Sequence, residues 1–190
     1  EHFTRVVRED PKRKGLLYAG TETGMYISFD DGANWKPFQL NLPIVPITDL
    51  ALKDNNLIVA TQGRSLWIID DLGVIHQLAD AKGKENYLYK PKDTYRMGGA
   101  SRSGSLSAGT NHPSGVMTYF NLKDPAEKKV TLSYLNAKND TIQKFSTKKD
   151  AEKNIKALKV EKGANYHTWN MRGEGAERLD GMILWWASTE

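Results

Sequence analysis

A repeated pattern in the N-terminal half is the strongest constraint on how this chain of 190 residues can fold. Two stretches share the order of an apolar run, a threonine, a polar turn with glycine, and an apolar run with an aromatic residue: Leu17–Ile27 and Leu57–Ile68. Thr21 and Thr61 are 40 residues apart, and Gly32 and Gly73 are 41 residues apart. A period of about 40–45 residues, with four short strands in each copy, is typical of β-propeller blades.

The pattern of short apolar runs between turn residues predicts an all-β fold that begins with two four-stranded blades. The eight predicted strands are Thr4–Arg8, Leu16–Gly20, Met25–Phe29, Trp35–Leu40, Ile47–Leu52, Leu57–Thr61, Leu66–Ile69 and Val74–Leu78. Two blades cannot close a ring, because propellers have at least about four. The expected partners are therefore the missing blades, from the same precursor or from another chain.

Composition divides the remainder of the chain. Residues 98–115 contain five Gly and five Ser, which is typical of a flexible connector. We therefore predict two blades in residues 1–86, a Gly/Ser-rich linker in 87–115, and an antiparallel immunoglobulin- or fibronectin-like β-sandwich in 116–190. The predicted strands of this sandwich include Val116–Leu122, Val130–Tyr134, Thr141–Phe145, Tyr166–Met171 and Met182–Trp186, with 150–157 open between a helix and a strand. About six strands fall short of the usual seven, so the sandwich is expected to be truncated.

Charge and composition exclude several classes of function. There is no cysteine, which excludes disulfides, thiol nucleophiles and cysteine-ligated metal sites. The net charge is +4, and eleven lysines face six acidic residues between Leu122 and Lys162. That stretch has no arginine and no interleaved aromatic residues, so we predict a solvated surface and no nucleic-acid binding. The apolar runs are too short to span a membrane, and no cofactor is predicted.

The segment Ser28–Trp35 reads S-x-D-x-G-x-x-W and is predicted to be a turn between two strands. Ser28 and the Asp30 carboxylate can accept hydrogen bonds from the backbone N–H groups of the turn. Gly32 can adopt a positive φ, and Trp35 is expected to fold back as an apolar plug under the loop. We therefore predict structural roles for Ser28, Asp30, Gly32 and Trp35.

This turn resembles the Asp-box of sialidases and sortilin-like proteins, with Asn34 at the position that usually holds threonine. The wider pattern is similar to bacterial sortilin-like BNR/Asp-box propeller proteins, often labelled glycosyl hydrolases. The matching pieces, in order, are Ala60–Leu72, Leu88–Pro91, Asn111–Gly115, Tyr119-Phe120, Gly163–Asn165 and Trp169–Arg172. The resemblance implies an exported protein that is extracellular, on the cell surface or periplasmic. Because the chain starts without Met, we expect it to be a fragment of a longer precursor.

A glycosidase needs two carboxyl groups about 5–10 Å apart across a sugar. The candidate acids are Asp30, Asp31, Asp49, Asp70 and Asp71, and we expect Asp30, Asp70 and Asp71 to be held by turns. The arginine triad and the tyrosine–glutamate pair of sialidases come from several blades in that family, and two blades supply at most Arg5, Arg8 and Arg64. No catalytic residue is therefore assigned.

Three residues are predicted to face a ligand: Gln62, Arg64 and Trp186. Arg64 lies in a tight turn and either presents its guanidinium at the mouth of a propeller or pairs with Asp70, Asp71 or Glu22. Trp186 could stack on a sugar, but Trp185 and Trp186 point to opposite faces of a strand and cannot form one platform together. The four histidines have no ligand-like spacing, so no metal site is predicted.

Two functions remain open at this stage. The first is a non-catalytic C-terminal fragment of an exported Asp-box propeller protein that binds protein or glycan or serves as a scaffold. The alternative is the C-terminal part of a sialidase- or xyloglucanase-like glycoside hydrolase whose catalytic residues lie upstream.

Overall fold

The computed structural model describes residues 3–96, 113–125, 128–148 and 155–173. These ranges contain one helix and several small, mostly antiparallel sheets, which confirms the prediction of a mainly β chain. The chain divides into two compact units, Glu1–Lys82 and Gly83–Glu190. The elements in order are β1 (Thr4–Glu9), β2 (Leu17–Thr21), β3 (Met25–Ser28), β4 (Lys36–Pro37), β5 (Ile47–Lys53), β6 (Asn56–Thr61), β7 (Leu66–Ile69), α1 (Gly73–Ala81), β8 (Asn86–Leu88), β9 (Val116–Leu122), β10 (Thr131–Leu135), β11 (Thr141–Ser146), β12 (Lys156–Ala157) and β13 (Gly163–Trp169).

The first unit contains two antiparallel meanders, a four-stranded sheet β1-β2-β3-β4 and a three-stranded sheet β5-β6-β7. Side chains alternate between the two faces of a strand, so each sheet sends every second residue inward. The inward residues of both sheets form one buried core: Val6, Leu16, Tyr18, Met25, Ile27, Ile47, Leu50, Leu57 and Val59, with Leu72 from the segment before α1.

The two sheets approach each other closely at Gly20. A Cβ atom at this position would lie 2.6 Å from Cγ2 of Ile47 and 2.8 Å from Cγ1 of Val6. The backbone of β2 therefore occupies space that any side chain would need. This contact explains why glycine precedes Thr21 in a strand that is otherwise well suited to larger residues.

The predicted second blade differs from the structure in its last element. The run Val74–Leu78, predicted as a strand, lies within helix α1, so this repeat has three strands and a helix. The helix begins where Asp71 accepts a hydrogen bond of 2.8 Å from the N–H of Gly73. Asp71 also accepts a 2.6 Å hydrogen bond from the Asn55 side chain in the β5–β6 turn. The helix is thereby attached to the hairpin that precedes it.

The predicted strand Trp35–Leu40 is also shorter in the structure, where β4 covers only Lys36–Pro37. Pro37 has no N–H to donate to a ladder, and Leu40 has a positive φ of 47°. Both features end strand geometry soon after it starts.

The second unit has two three-stranded sheets, β13-β9-β8 and β10-β11-β12. All pairs are antiparallel except β11 with β12, which is parallel. The inner faces meet through Tyr134, which stacks on Trp169 at a centroid distance of 4.5 Å and lies 2.8 Å from Thr118 between hydroxyl oxygens. Phe145 contacts the His167 ring at 4.2 Å. An aromatic cluster therefore joins the two sheets.

The boundary between the units lies at Lys82 and Gly83, four residues before the predicted start of the linker. Residues 87 and 88 of that predicted linker belong to β8, which pairs with β9 through Leu88 and Phe120. Most of the Gly/Ser-rich segment, the stretch 150–154 and the predicted strand Met182–Trp186 lie outside the described residues.

We predict that Gly20→Ala destabilises the first unit by about 1–3 kcal/mol, because the added methyl group overpacks the contact between the sheets. Urea unfolding monitored by tryptophan fluorescence measures this change. Gly173→Ala is the matched control, since its added Cβ would meet nothing closer than the Ile142 carbonyl oxygen at 4.0 Å. Equal unfolding midpoints for the two variants would contradict the close approach.

Candidate functional site

The turn after β3 has the hydrogen bonds expected from its sequence. The Ser28 hydroxyl oxygen accepts a bond of 3.0 Å from the N–H of Gly32 and donates one of 2.8 Å to Asp30. The Asp30 carboxylate accepts bonds from the side-chain amide of Asn34 at 2.7 Å and from its backbone N–H at 2.8 Å. These bonds from Asn34, together with the one from Ser28, hold the pKa of Asp30 below its usual value.

A hydroxyl side chain at position 34 could donate a hydrogen bond to the Asp30 carboxylate. Asn34 makes the equivalent bond with its side-chain amide. Gly32 has a φ of +87°, which a side chain would resist. The Trp35 ring passes beside Gly32, with Cζ2 3.7 Å from the position of a Cβ there, but 39% of Trp35 stays exposed. The expectation of a buried plug under the loop is therefore wrong in part: the indole covers one side of the turn.

The turn between β6 and β7 holds Gln62 and Arg64, and both are exposed. Backbone contacts fix its shape: the N–H of Gln62 donates to the Pro46 carbonyl at 2.9 Å, and the Trp67 indole donates to the Arg64 carbonyl at 2.8 Å. Arg64 forms no ion pair with any acid in the described part of the chain, so the expected alternative of pairing with Asp70, Asp71 or Glu22 is wrong. Trp186, the third predicted ligand-facing residue, lies outside the described residues.

Three of the five candidate acids of the first unit are engaged by protein groups, whereas Asp31 and Asp70 are exposed. Asp30 is held by its turn, and Asp71 accepts from Asn55 and Gly73. Asp49 of β5 pairs with Arg8 of β1 at 2.8 Å. These three carboxylates are used to fix loops and strands.

A polar cluster that sequence reasoning missed surrounds Asp10, which is only 3% exposed. Its Oδ1 accepts from the N–H groups of Lys12 at 2.8 Å and Arg13 at 3.0 Å. Its Oδ2 accepts from the Tyr18 hydroxyl at 3.2 Å and lies 2.8 Å from Nε2 of His76. Arg13 in turn donates to the carbonyl oxygens of Ile75 and His76 in α1, at 3.0 and 2.9 Å.

A carboxylate offers about four lone-pair sites, and all those of Asp10 are occupied by protein groups. Burial by itself would raise the pKa of Asp10, but the hydrogen bonds from His76 and from the N–H groups of Lys12 and Arg13 outweigh it and lower the pKa. Burial and the negative charge of Asp10 raise the pKa of Tyr18. The cluster is therefore built to hold a loop against a helix, with no oxygen available to a substrate.

The outer face of the β5-β6-β7 sheet carries an apolar patch, although it points away from the core and also holds Asp49 opposite Ala60. The register places Ala51, Ile58 and Ile68 opposite one another, and Ala60 opposite Leu66. Leu66 is 68% exposed and Ile68 is 56% exposed. We call these five residues the outer apolar face. A sheet that faces water on one side normally alternates with polar residues there, so this face is suited to contact with another protein surface.

The β1-β2-β3-β4 sheet has a related feature on its own outer side. Val7, Ala19, Tyr26 and Pro37 lie opposite one another across its four strands. Both sheets of the first unit are therefore apolar on the inward face and carry an apolar row on the outward face, a pattern of strands that are covered on both sides.

The described residues include no group of three or more His, Asp or Glu residues that could hold a metal ion. Their one helix is too short to cross a membrane.

No protein-family model, curated protein or solved structure matches the chain.

We predict that Asp10→Ala lowers the free energy of unfolding by about 2–4 kcal/mol at neutral pH, because Tyr18 and two backbone N–H groups lose a charged acceptor. The folded-state pKa of Asp10 lies below its ordinary value of 3.8. Its contribution is therefore complete above about pH 4 and is lost as the pH falls through the folded-state pKa. The difference between wild type and variant should shrink correspondingly in urea titrations below pH 4.

The matched control for this measurement is Asp80→Ala, which removes an exposed carboxylate of α1. We expect it to change stability by no more than about 0.5 kcal/mol. An Asp10→Ala variant as stable as Asp80→Ala would refute the role assigned to the cluster.

Proposed function

We propose that the chain is a non-catalytic part of an exported Asp-box propeller protein, in which it binds protein or glycan or serves as a scaffold. In this proposal the two sheets of the first unit are neighbouring blades, and further blades cover their outward sides. The Ser28–Trp35 turn is the Asp-box of the first blade. The second unit is an appended immunoglobulin- or fibronectin-like domain.

The observation that carries the proposal is the outer apolar face, with exposed Leu66 and Ile68 in register with neighbouring apolar residues. A lone two-sheet sandwich gains nothing from such a face and incurs a risk of aggregation. A blade inside a ring has a neighbour on each side, so both faces need apolar side chains. The 40-residue spacing of the two sheets in the sequence agrees with this arrangement.

The non-catalytic part of the proposal is supported by how four of the acids are used. The Asp10 carboxylate is saturated by protein donors, and Asp30, Asp49 and Asp71 each hold a turn or a neighbouring strand. A glycosidase needs one free acid and one free base at a fixed separation. Because the hydrolase alternative places its catalytic residues upstream, the test uses the full precursor. It is expected to release no phenol from aryl-glycosides, and turnover that survives repurification would favour the hydrolase alternative.

The proposal is tested by placing a charge on the outer apolar face. In the full precursor, Leu66→Lys should lower the free energy of unfolding by about 2–4 kcal/mol, because it buries an unpaired ammonium between blades. In the chain alone the same change should cost no more than about 0.5 kcal/mol and should reduce binding of the dye ANS. Urea unfolding of both proteins measures the difference.

Ala79→Lys is the matched control, since Ala79 is an exposed residue of α1 in the same unit and lies outside both sheets. It should be neutral in both proteins. The proposal fails if the precursor tolerates Leu66→Lys as well as the chain alone does, or if the precursor lacks further repeats of about 40 residues.

A further inference from the structure

Four of the eight tyrosines of the chain lie on one face of one small sheet in the second unit. Tyr119 in β9 is directly opposite Tyr166 in β13. Tyr87 in β8 is opposite Asn121, two residues from Tyr119, and the N–H of Tyr89 donates to the Tyr119 carbonyl at 3.0 Å. Because residues two apart share a face, all four rings are on the same side of the sheet.

This tyrosine face points away from the core of the second unit. The opposite side of the same sheet carries Thr118, His167 and Trp169, which contact Tyr134 and Phe145 of the other sheet. The rings on the outer side form two adjoining pairs: Tyr87 and Tyr89 meet edge to face at 4.9 Å, and Tyr119 and Tyr166 lie 6.2 Å apart. Tyr166 is 67% exposed.

The tyrosine face carries no uncompensated charge among its strand residues. The positions between and beside the rings are Met117, Asn121, Ala164 and Thr168, all of them neutral. Two lysines beside the face have partners: Lys84 lies 4.7 Å above the Tyr87 ring, and Lys123 pairs with Glu85. In a chain where 26% of residues are charged, this neutrality distinguishes the face from its surroundings.

We propose that the tyrosine face binds a neutral glycan chain. Tyrosine joins an apolar ring to a polar hydroxyl, and a pyranose ring likewise has an apolar C–H face and a rim of hydroxyls. The ring pairs supply stacking surfaces, while the Tyr166 hydroxyl, Asn121 and Thr168 supply hydrogen bonds along the rim. A polyanion would need free cations, and Lys84 and Lys123 are held by Tyr87 and Glu85.

This inference rests on the binding role proposed above and names its surface and ligand class. The test is native gel electrophoresis of the full chain in gels that contain hydroxyethylcellulose, galactomannan or dextran. We expect retardation by at least one of these neutral polysaccharides and a dissociation constant about tenfold higher for Tyr166→Ala, since loss of an aromatic contact of about 1.4 kcal/mol corresponds to that factor. Tyr166→Phe should keep most of the affinity because the ring remains.

Tyr95→Ala is the matched control, because Tyr95 is an exposed tyrosine outside the four-tyrosine face. It should leave retardation unchanged. The proposal is overturned if none of the three polysaccharides retards the chain, if only alginate or a single-stranded DNA oligonucleotide does, or if Tyr95→Ala weakens binding as much as Tyr166→Ala. It is also overturned if the face mediates a dimer that Tyr166→Ala abolishes in light scattering.

A measurement on the wild-type chain keeps the test valid if a variant misfolds. The polysaccharide that binds should protect Tyr166 from nitration by tetranitromethane and leave Tyr95 reactive, as read by mass spectrometry. Unchanged nitration of Tyr166 would overturn the proposal. The proposal that the sheets of the first unit are propeller blades is tested separately, at Leu66. Either proposal can therefore fail while the other stands.

Discussion

The buried carboxylate of Asp10 is the point at which the first unit is held together. It fixes the turn after β1 through two backbone N–H groups, contacts the core through the Tyr18 hydroxyl, and reaches α1 through His76. A charged acceptor with every lone pair satisfied is stable in such a place, whereas a partly satisfied one would be costly. The position of the helix after the second sheet, and hence the burial of Leu72 beside it, depends on this group together with the Asn55–Asp71 bond and the bonds from Arg13 to α1.

The repeat and the alternation of apolar residues predicted most strands of the first unit, because both express the period of two that a half-buried strand requires. They failed at α1 for a physical reason. Val74, Ile75 and Leu78 are spaced like one face of a helix as well as like a short buried strand, and the run is too short for periodicity to decide. The deciding contacts come from Asn55, Asp71 and Arg13, and two of these residues lie far from the helix in sequence.

Candidate sites whose contacts join residues close in sequence could be predicted, and those that join distant residues could not. The Ser28–Trp35 turn closes within eight residues, so its hydrogen bonds could be anticipated from residue types alone. The cluster at Asp10 joins residues 66 positions apart, and nothing in Asp10-Pro11 signals His76. The tyrosine face is similar: Tyr87 and Tyr89 are visibly two apart, but only strand register brings Tyr119 and Tyr166 beside them.

The hairpin between β5 and β6 has a consequence for the surface beside it. Its two-residue loop, Asp54-Asn55, has positive φ at both positions, 51° and 69°, which is the geometry of a type I′ turn. Such a loop sets the strand register within the hairpin itself. Deletion of one residue from this loop would shift the register of β6 by one position. Ile58 and Ala60 would then point to the core, and Leu57 and Val59 would face solvent. The length of one tight loop thus determines which side of the sheet is presented to the rest of the protein.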